Sequence, residues 1–318
     1  MITQLRPSPV RTRSRLKTAW RKEMKNNYDL YLFVLPAVIS IVLFNYLPMY
    51  GVQIAFKNFR PVAGISGSEW AGFKWFVRFF NSAQFGSLIS NTLVLNFYLL
   101  ALTFPLPILL ALLFNQFRSQ HIRKTLQTVS YAPHFISTVV MVGMLTLFLS
   151  PTSGLYGNIV RALGYTPGNP MGEAGLFKSI YVWSDVWQHT GWDSIIYIAA
   201  LSAIDPQLYD AATVDGASRS QKILHVEIPA LLATASILLI MRVGNLMSVG
   251  FEKVYLMQNN LNLSSSEVIS TYVYKMGLRG TAQYSYAAAV GLFNNVVNLV
   301  LLTVCNSITR KLSGSSLW

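Results

Sequence analysis

Residues 88–114 decide the class of fold, and they read LISNTLVLNFYLLALTFPLPILLALLF, without a charged side chain. A helix needs about 20 mostly apolar residues to cross a bilayer, so this segment predicts a membrane span. Five further segments meet the same requirement, although polar residues interrupt the fourth span. The sequence therefore predicts an all-α integral membrane protein with six transmembrane helices. These spans, numbered one to six, are residues 30–50, 88–114, 126–149, 178–201, 229–250 and 284–308.

The composition agrees with this fold class. Of 318 residues, 53% are hydrophobic and 12% are charged, whereas a soluble globular chain has roughly 25% charged residues. These values exclude a disordered chain, a collagen-like repeat and a small disulfide scaffold, and the single Cys305 cannot form an intrachain disulfide. Lys and Arg outnumber Asp and Glu by 25 to 12, but eight of them precede span one. Because they form no basic face with interleaved aromatics, nucleic-acid binding is not expected.

The placement of positive charge predicts the orientation. The chain divides into a basic N-terminal segment (1–29), a transmembrane domain (30–308) and a tail (309–318). With the N-terminus inside, these two end segments and the connections 115–125 and 202–228 hold 15 of the 25 Lys and Arg residues. Because cytoplasmic loops are enriched in Lys and Arg, both termini are predicted to be cytoplasmic.

Two segments are predicted to lie on the outer face. Residues 70–80 contain six aromatic and two basic side chains. This mixture predicts a helix that lies at the lipid headgroups before span two. Residues 151–175 are rich in Gly and Pro, which predicts an outer loop.

The connection between spans four and five predicts two short helices joined by a glycine. Asp205 followed by Pro206 is a strong helix start, because an N-cap oxygen precedes a residue with a helical φ. Gly216 supplies a C-terminal stop, and a second helix can begin at Ser218 or Ser220. Three small alanines would let another surface approach the backbone closely, and two neighbouring aspartates suit a basic partner. These residues are Ala211, Ala212, Ala217, Asp210 and Asp215.

This connection resembles the EAA loop of the permeases of ABC importers. The matching residues are Asp210-Ala211-Ala212, Asp215-Gly216-Ala217 and Val226-Glu227-Ile228-Pro229, with the family's nine-residue gap before Val226. Asp210 replaces the usual Glu. Residues 187–192 and the stretch from Gly72 to Thr92 are similar to sugar-importer permeases of the maltose-permease type. The likeness is strongest to the branch that imports plant or algal polysaccharide fragments, and it covers about residues 30–308.

The resemblance implies a transport subunit of the bacterial cell membrane and not an enzyme. In the family this loop docks into a cleft on a cytoplasmic ATPase. The implied partners are a second, different permease, two ABC ATPases and an extracytoplasmic substrate-binding protein. The chain has no G-x-x-x-x-G-K-[ST] motif, so no cofactor is expected on it, and ATP and Mg would be bound by the partner ATPases. The implied ATPase-coupling residues are Asp210, Ala211, Ala212, Asp215, Gly216, Ala217, Val226, Ile228 and Pro229.

Span four contains polar residues at helical spacing. Asp185, His189 and Asp193 stand at i, i+4 and i+8, so they are expected to share one face. Three interpretations stay open: a zinc site, an internal polar stripe neutralised by Arg242, or the wall of a cavity that contacts sugar. Neither a metal nor a catalytic site is favoured, because no further ligand cluster is evident.

The register relative to the loop suggests where cargo binds. In the maltose-type relatives, sugar contacts fall near positions that correspond to 185–192 and 242–249. Arg242 inside span five is neutralised by Asp185 or Asp193, or else it meets an acidic group on the cargo, such as a uronate. The sequence therefore predicts ATP-driven import of an oligosaccharide; the alternatives are an ion-coupled secondary transporter of a polar solute and an integral-membrane enzyme. The predicted substrate-lining residues are Asp185, Trp187, His189, Trp192, Asp193, Arg242, Asn245 and Ser248.

Overall fold

The computed structural model describes residues 26–279 and 282–313. Most of the basic N-terminal segment and the end of the predicted tail lie outside these ranges. Within them, four helices are long and apolar enough to cross a membrane, or five if one bent pair is counted as a span.

The described chain begins with a long, exposed helix. Helix α1 (Tyr28–Ile41) continues through a π-helical turn (Val42–Tyr46), α2 (Leu47–Met49) and a 3-10 helix (Tyr50–Phe56). Together these pieces extend over 29 residues. In the apolar stretch of 18 residues that would span the membrane, no residue is buried against the rest of the chain. Lipid or another protein chain must therefore cover this apolar surface.

A small layer of two strands and short helices follows the exposed helix. Strands β1 (Lys57–Arg60) and β2 (Ser68–Trp70) form an antiparallel ribbon around α3 (Gly64–Gly67), an addition to the predicted helices. Next comes α4 (Lys74–Phe80), a helix at the position predicted for the headgroup region. Its Phe79 is fully buried in an outer core cluster with Leu88, Ile269 and Val290, so α4 is anchored to the bundle.

The residues predicted as spans two, five and six form helical stretches that are long and apolar enough to cross a membrane. Span two consists of α5 (Phe85–Thr103) and α6 (Pro105–Asn115). Span five is α13 (Ile228–Gly244), and it ends six residues before the predicted boundary at 250. Span six is α17 (Tyr284–Ser313). An inner core cluster, which contains Leu112, Tyr197 and Leu231, joins spans two, four and five.

Span three differs from the single helix predicted over 126–149. Helix α7 (Gln120–Tyr131) with its 3-10 end (Ala132–Phe135) meets α8 (Thr138–Phe148) at 94°. Pro133 lacks an N–H group, and the extended Ser137 caps a new helix by accepting from the backbone N–H of Val140. The 11 residues of α8 reach only about 16 Å, which is too short to cross a bilayer alone.

The predicted outer loop 151–175 contains a helix, α9 (Leu155–Ala162). Arg161 at its end donates to the carbonyl oxygens of Pro151 at 2.6 Å and Thr152 at 2.8 Å. These hydrogen bonds link the end of the helix to the residues just before its start. The residues predicted as span four form α10 (Ala174–Ser202), a 29-residue helix with buried polar residues, including Gln188 and Ser194. This helix is not one of the four apolar helices counted above, and the numbers one to six refer to the predicted spans.

The remaining elements flank span five. On the side before it lie α11 (Pro206–Val214), α12 (Arg219–Lys222) and a π-helical turn (Ile223–Glu227) that runs into α13 without a break. After it come α14 (Phe251–Met257), α15 (Leu263–Ser266) and α16 (Ile269–Leu278). Helix α14 packs beside α8 and α16, and these contacts place its side chains near α10.

Candidate functional site

The Gly216 corner, residues 205–218, turns sharply between α11 and α12. The carboxylate of Asp205 accepts from the backbone N–H of Gln207 at 2.9 Å, and Pro206 takes the first turn of α11. Gly216 has a φ of +73°, a conformation that favours glycine because it has no Cβ. Ser218 and Gln221 then form a capping box that starts α12. The sequence prediction of this local path is therefore confirmed.

The predicted coupling residues fall into two groups. At the corner, Asp210, Ala211, Asp215 and Gly216 are exposed, and no atom lies within 4 Å of the position that a Cβ on Gly216 would occupy. Ala212 and Ala217 are half-buried. Val226 and Ile228 are also half-buried, Pro229 is exposed at the start of α13, and Ile228 packs on the inner core cluster. The corner thus offers an open surface, whereas residues 226–228 lie at the base of span five.

Arg242 forms an ion pair with Asp193, one of the two partners that the sequence allowed. Its Nη2 lies 2.5 Å from Oδ2 of Asp193, and its Nη1 donates to the hydroxyl of Thr103 at 2.7 Å. The side chains of Arg242 and Asp193 remain 35% and 28% exposed. Spans two, four and five therefore meet at a guanidinium group that is still partly open.

Two neighbouring cavities border this guanidinium. One, of about 320 Å³, lies between spans two and five, and the other, of about 450 Å³, lies between spans four and five. Arg242 and Leu238 line both. The polar residues of the first are Asn96, Thr103, Asn245 and Ser248, and Trp192, Asp193 and Tyr197 contribute to the second.

Asp185 belongs to a different cluster from Asp193. Its Oδ1 lies 3.2 Å from Nζ of Lys253 on α14, and Lys253 also donates to the carbonyl oxygen of Tyr181 at 3.2 Å. Nδ1 of His189 lies 3.4 Å from the same carboxylate oxygen. Eight residues of α-helix turn Asp193 by roughly 80° from Asp185, so the two carboxylates share one broad face of α10 but reach different partners. The polar stripe is real, but two different cations neutralise it.

The remaining predicted residues have separate environments. The Ser248 hydroxyl accepts from Nδ2 of Asn298 at 2.8 Å, and the amide of Asn245 donates to the Met241 carbonyl oxygen at 3.0 Å. Trp187 is 51% exposed. Within the described ranges no three His, Cys, Asp or Glu side chains are placed to hold a metal ion.

The bend in span three brings an aromatic group to Trp192. The ring of His134 stacks on Trp192 with centroids 4.4 Å apart and an interplanar angle of 2°. The approach depends on Gly191, because a Cβ there would overlap the Ser130 carbonyl oxygen of α7. Nδ1 of His134 is buried and has no hydrogen-bond partner among the described residues. A polar atom is thus available beside a flat aromatic surface.

Comparison with known proteins decides the family. The family model of the binding-protein-dependent transport system inner membrane component matches residues 85–313. The chain belongs to this family. It is therefore the permease component of an ABC importer and a multi-pass protein of the bacterial plasma membrane.

Relatives of the permease match over nearly their whole length. Protein LplB of Bacillus subtilis is 38% identical over 100% of this chain and 99% of its own. The polygalacturonan/rhamnogalacturonan transport system permease protein YteP of the same organism is 41% identical over 91% of this chain and 90% of its own. The crystal structure of a bacterial ABC transporter involved in the import of the acidic polysaccharide alginate contains a similar chain. That chain is 40% identical, with a TM-score of 0.85 and coverage of 93% of this chain and 99% of its own.

Three permease residues at these sites were missed by the sequence analysis: Thr103, His134 and Lys253. Lys253 lies nine residues beyond the end of α13, so its sequence position suggested an outer segment. His134 follows Pro133, and this proline was the available signal that span three bends.

Proposed function

We propose that this permease moves an oligosaccharide that carries carboxylate groups. The observation that supports acidic cargo best is the half-exposed Arg242 between two cavities. An arginine has five N–H donors, and Asp193 and Thr103 engage one nitrogen each. The remaining donors can meet a uronate carboxylate in the two-pronged geometry that guanidinium favours.

The relatives support the same cargo class. One is a permease of a polygalacturonan/rhamnogalacturonan transport system, and another belongs to an importer of the acidic polysaccharide alginate. Aromatic faces suit the C–H surfaces of a sugar ring, and Trp192 with the stacked His134 would supply such a face at the second cavity.

The proposed topology has six spans, with α7 and α8 together as the third and α10 as the fourth, and both termini in the cytoplasm. The polar side chains of α10 would then face the other helices and the cavities, where their cost is lowest. In this arrangement the Gly216 corner lies on the cytoplasmic side, with its exposed surface turned away from the bundle.

The proposed assembly contains a second, different permease, two cytoplasmic ATPases that bind ATP and Mg, and an extracytoplasmic binding protein. The apolar and uncovered α1 gives the second permease a surface to pack on. A structure related to this chain contains an alginate pentasaccharide-bound periplasmic protein, which supports a binding-protein partner. Closure of the ATPases would displace the Gly216 corner and tilt the spans between inward- and outward-facing states.

The test uses the assembled importer in lipid nanodiscs, with its binding protein loaded with either a uronate tetrasaccharide or a neutral tetrasaccharide. We expect the ATPase to be stimulated at a lower concentration of the uronate sugar. Gly216→Arg should leave the permease inserted but abolish both stimulation and uptake, because a long charged side chain would block the docking surface. Preference for the neutral sugar would refute acidic cargo. Uptake driven by an ion gradient without any ATPase would refute the importer assignment and favour a secondary transporter.

A further inference from the structure

Glu227 is a buried carboxylate that joins three elements on the side of the Gly216 corner. It is 2% exposed and ends the π-helical turn before α13. Its Oε1 accepts from Nδ2 of Asn115 at 2.8 Å and from the hydroxyl of Tyr209 at 3.3 Å. Nε2 of Gln116 lies 3.2 Å from both carboxylate oxygens. Asn115 and Gln116 are at the end of span two, and Tyr209 is on α11, so one side chain connects three segments.

The donors around Glu227 are all neutral. Among the described residues, no Lys, Arg or His lies within ion-pair distance of its carboxylate. Burying a carboxylate is costly unless hydrogen bonds replace its water, and the amides of Asn115 and Gln116 with the Tyr209 hydroxyl supply such hydrogen bonds. Burial, and to a lesser degree the Glu227 charge, raise the pKa of the Tyr209 hydroxyl. The hydroxyl therefore keeps its proton and remains a donor.

Helix α11 has little else to hold it against the bundle. None of its nine residues is buried, so hydrophobic packing contributes little to its attachment. The half-buried Tyr209 is the side chain of α11 that donates a hydrogen bond to Glu227. A second link, from Nζ of Lys222 to the hydroxyl of Thr213 at 2.7 Å, is exposed and ties α11 to α12 across the corner, not to span two.

We propose that Glu227 is a positioning residue that fastens α11 to the inner end of span two, so that a displacement of the Gly216 corner moves spans two and five together. This proposal rests on the proposed coupling of the corner to an ATPase. The π-helical turn helps to place Glu227, because a turn wider than that of an α-helix changes which side chain faces inward. It leaves Glu227 buried while the exposed His225 and Leu224 face away.

The first test compares Glu227→Gln and Glu227→Ala with the matched control Glu252→Gln, which neutralises an exposed carboxylate on α14. We expect the ATPases to co-purify with all three variants. In the Glu227 variants, stimulation of ATP hydrolysis by loaded binding protein should fall by roughly 2- to 30-fold, the range for residues that transmit coupling between sites. The control should match the wild-type chain. Unchanged stimulation in both Glu227 variants would overturn the proposal.

The second test measures the attachment directly. Spin labels on Gln207→Cys and Arg118→Cys, both exposed positions, report the distance between α11 and the end of span two in a Cys305→Ser chain. We expect one narrow distance distribution that is the same without nucleotide and in the ATP-bound state. Glu227→Gln should broaden it. A distribution that is equally narrow in the variant would overturn the proposal even if ATPase stimulation falls.

A double variant separates positioning from simple loss of folding. The double variant Asn115→Asp and Glu227→Gln places the carboxylate on span two and the amide on the π-helical turn, so the direction of the hydrogen bond between the two positions is reversed. We expect it to recover part of the lost stimulation and to narrow the distance distribution again. If Glu227→Gln fails to assemble and Asn115→Asp does not repair it, Glu227 acts only in folding and the proposal is refuted. If ATPases fail to co-purify even with the wild-type chain, it is the proposed function that fails.

Discussion

Two ion pairs on α10 lie eight residues apart and differ in how far they are open to solvent. Asp185 pairs with Lys253 at 3.2 Å, and these side chains are 18% and 7% exposed. Asp193 pairs with Arg242 at 2.5 Å, and these side chains are 28% and 35% exposed. The first pair ties α14 to α10, whereas the second borders two cavities.

We expect this difference to distinguish a structural pair from a pair that cargo can reach. An enclosed pair cannot change partners without leaving a charge in apolar surroundings, which costs several kcal/mol. A partly open pair can accept a third polar group, because its free donors already face a cavity. Removing the cation should therefore lower stability in the first case and change transport in the second.

The largest effect is expected for Lys253→Met. Asp185 would lose its buried cation and keep only the contact with the partly exposed His189, which should destabilise the fold by roughly 3–5 kcal/mol, the usual cost of breaking a buried pair. The yield of monodisperse protein and the midpoint of thermal unfolding in detergent measure this loss. Adding Asp185→Asn should restore most of it. A Lys253→Met chain as stable as the wild type would show that the enclosed pair is not structural.

The next effect concerns Arg242→Gln. Because Asp193 remains partly solvated, the assembly should stay folded, and the variant should instead bind acidic cargo more weakly. A charge-assisted hydrogen bond contributes about 1.5–3 kcal/mol, so half-maximal ATPase stimulation should need roughly 10- to 100-fold more uronate tetrasaccharide. Arg310→Gln, an exposed arginine of α17, is the control. Equal losses for uronate and neutral sugars in a stable assembly would contradict the acidic-cargo proposal.

Arg242→Lys should have a smaller effect than Arg242→Gln. Lysine keeps the positive charge but lacks the planar fork that reaches Asp193 and Thr103 at once. We expect a few-fold rise in the uronate concentration needed for stimulation and little change in thermal stability. A response to uronate sugar as strong as in the wild type would mean that charge alone, without two-pronged geometry, determines recognition.

The smallest effect is expected for His189→Gln. His189 contacts the carboxylate of the enclosed pair, but its side chain is 34% exposed and Lys253 already neutralises Asp185. Such partly exposed contacts contribute at most about 1 kcal/mol. The midpoint of thermal unfolding should therefore change only slightly. A loss as large as that of Lys253→Met would assign His189 to the structural pair.

Local features of the molecule could be predicted from the sequence. Asp205, Gly216 and Ser218 determine the corner through an N-cap, a positive φ and a capping box, each of which depends on residues a few positions apart. The long apolar helices of spans one, two, five and six follow from composition and length for the same reason. In span three, Pro133 and the N-cap Ser137 cause the bend. The apolar pattern predicted one straight helix because it does not depend on these two residues.

The sequence by itself thus determined the membrane fold class, the family and the path of the Gly216 corner. Only the tertiary structure decided which charges meet. Lys253 reaches Asp185 across 68 positions, Arg242 reaches Asp193 across 49, and Asn115 reaches Glu227 across 112. Such pairings depend on how helices cross and rotate, and periodicity within one helix places a residue on a face without naming what lies opposite. For that physical reason Arg242 had two acceptable partners in the sequence and has one in the fold.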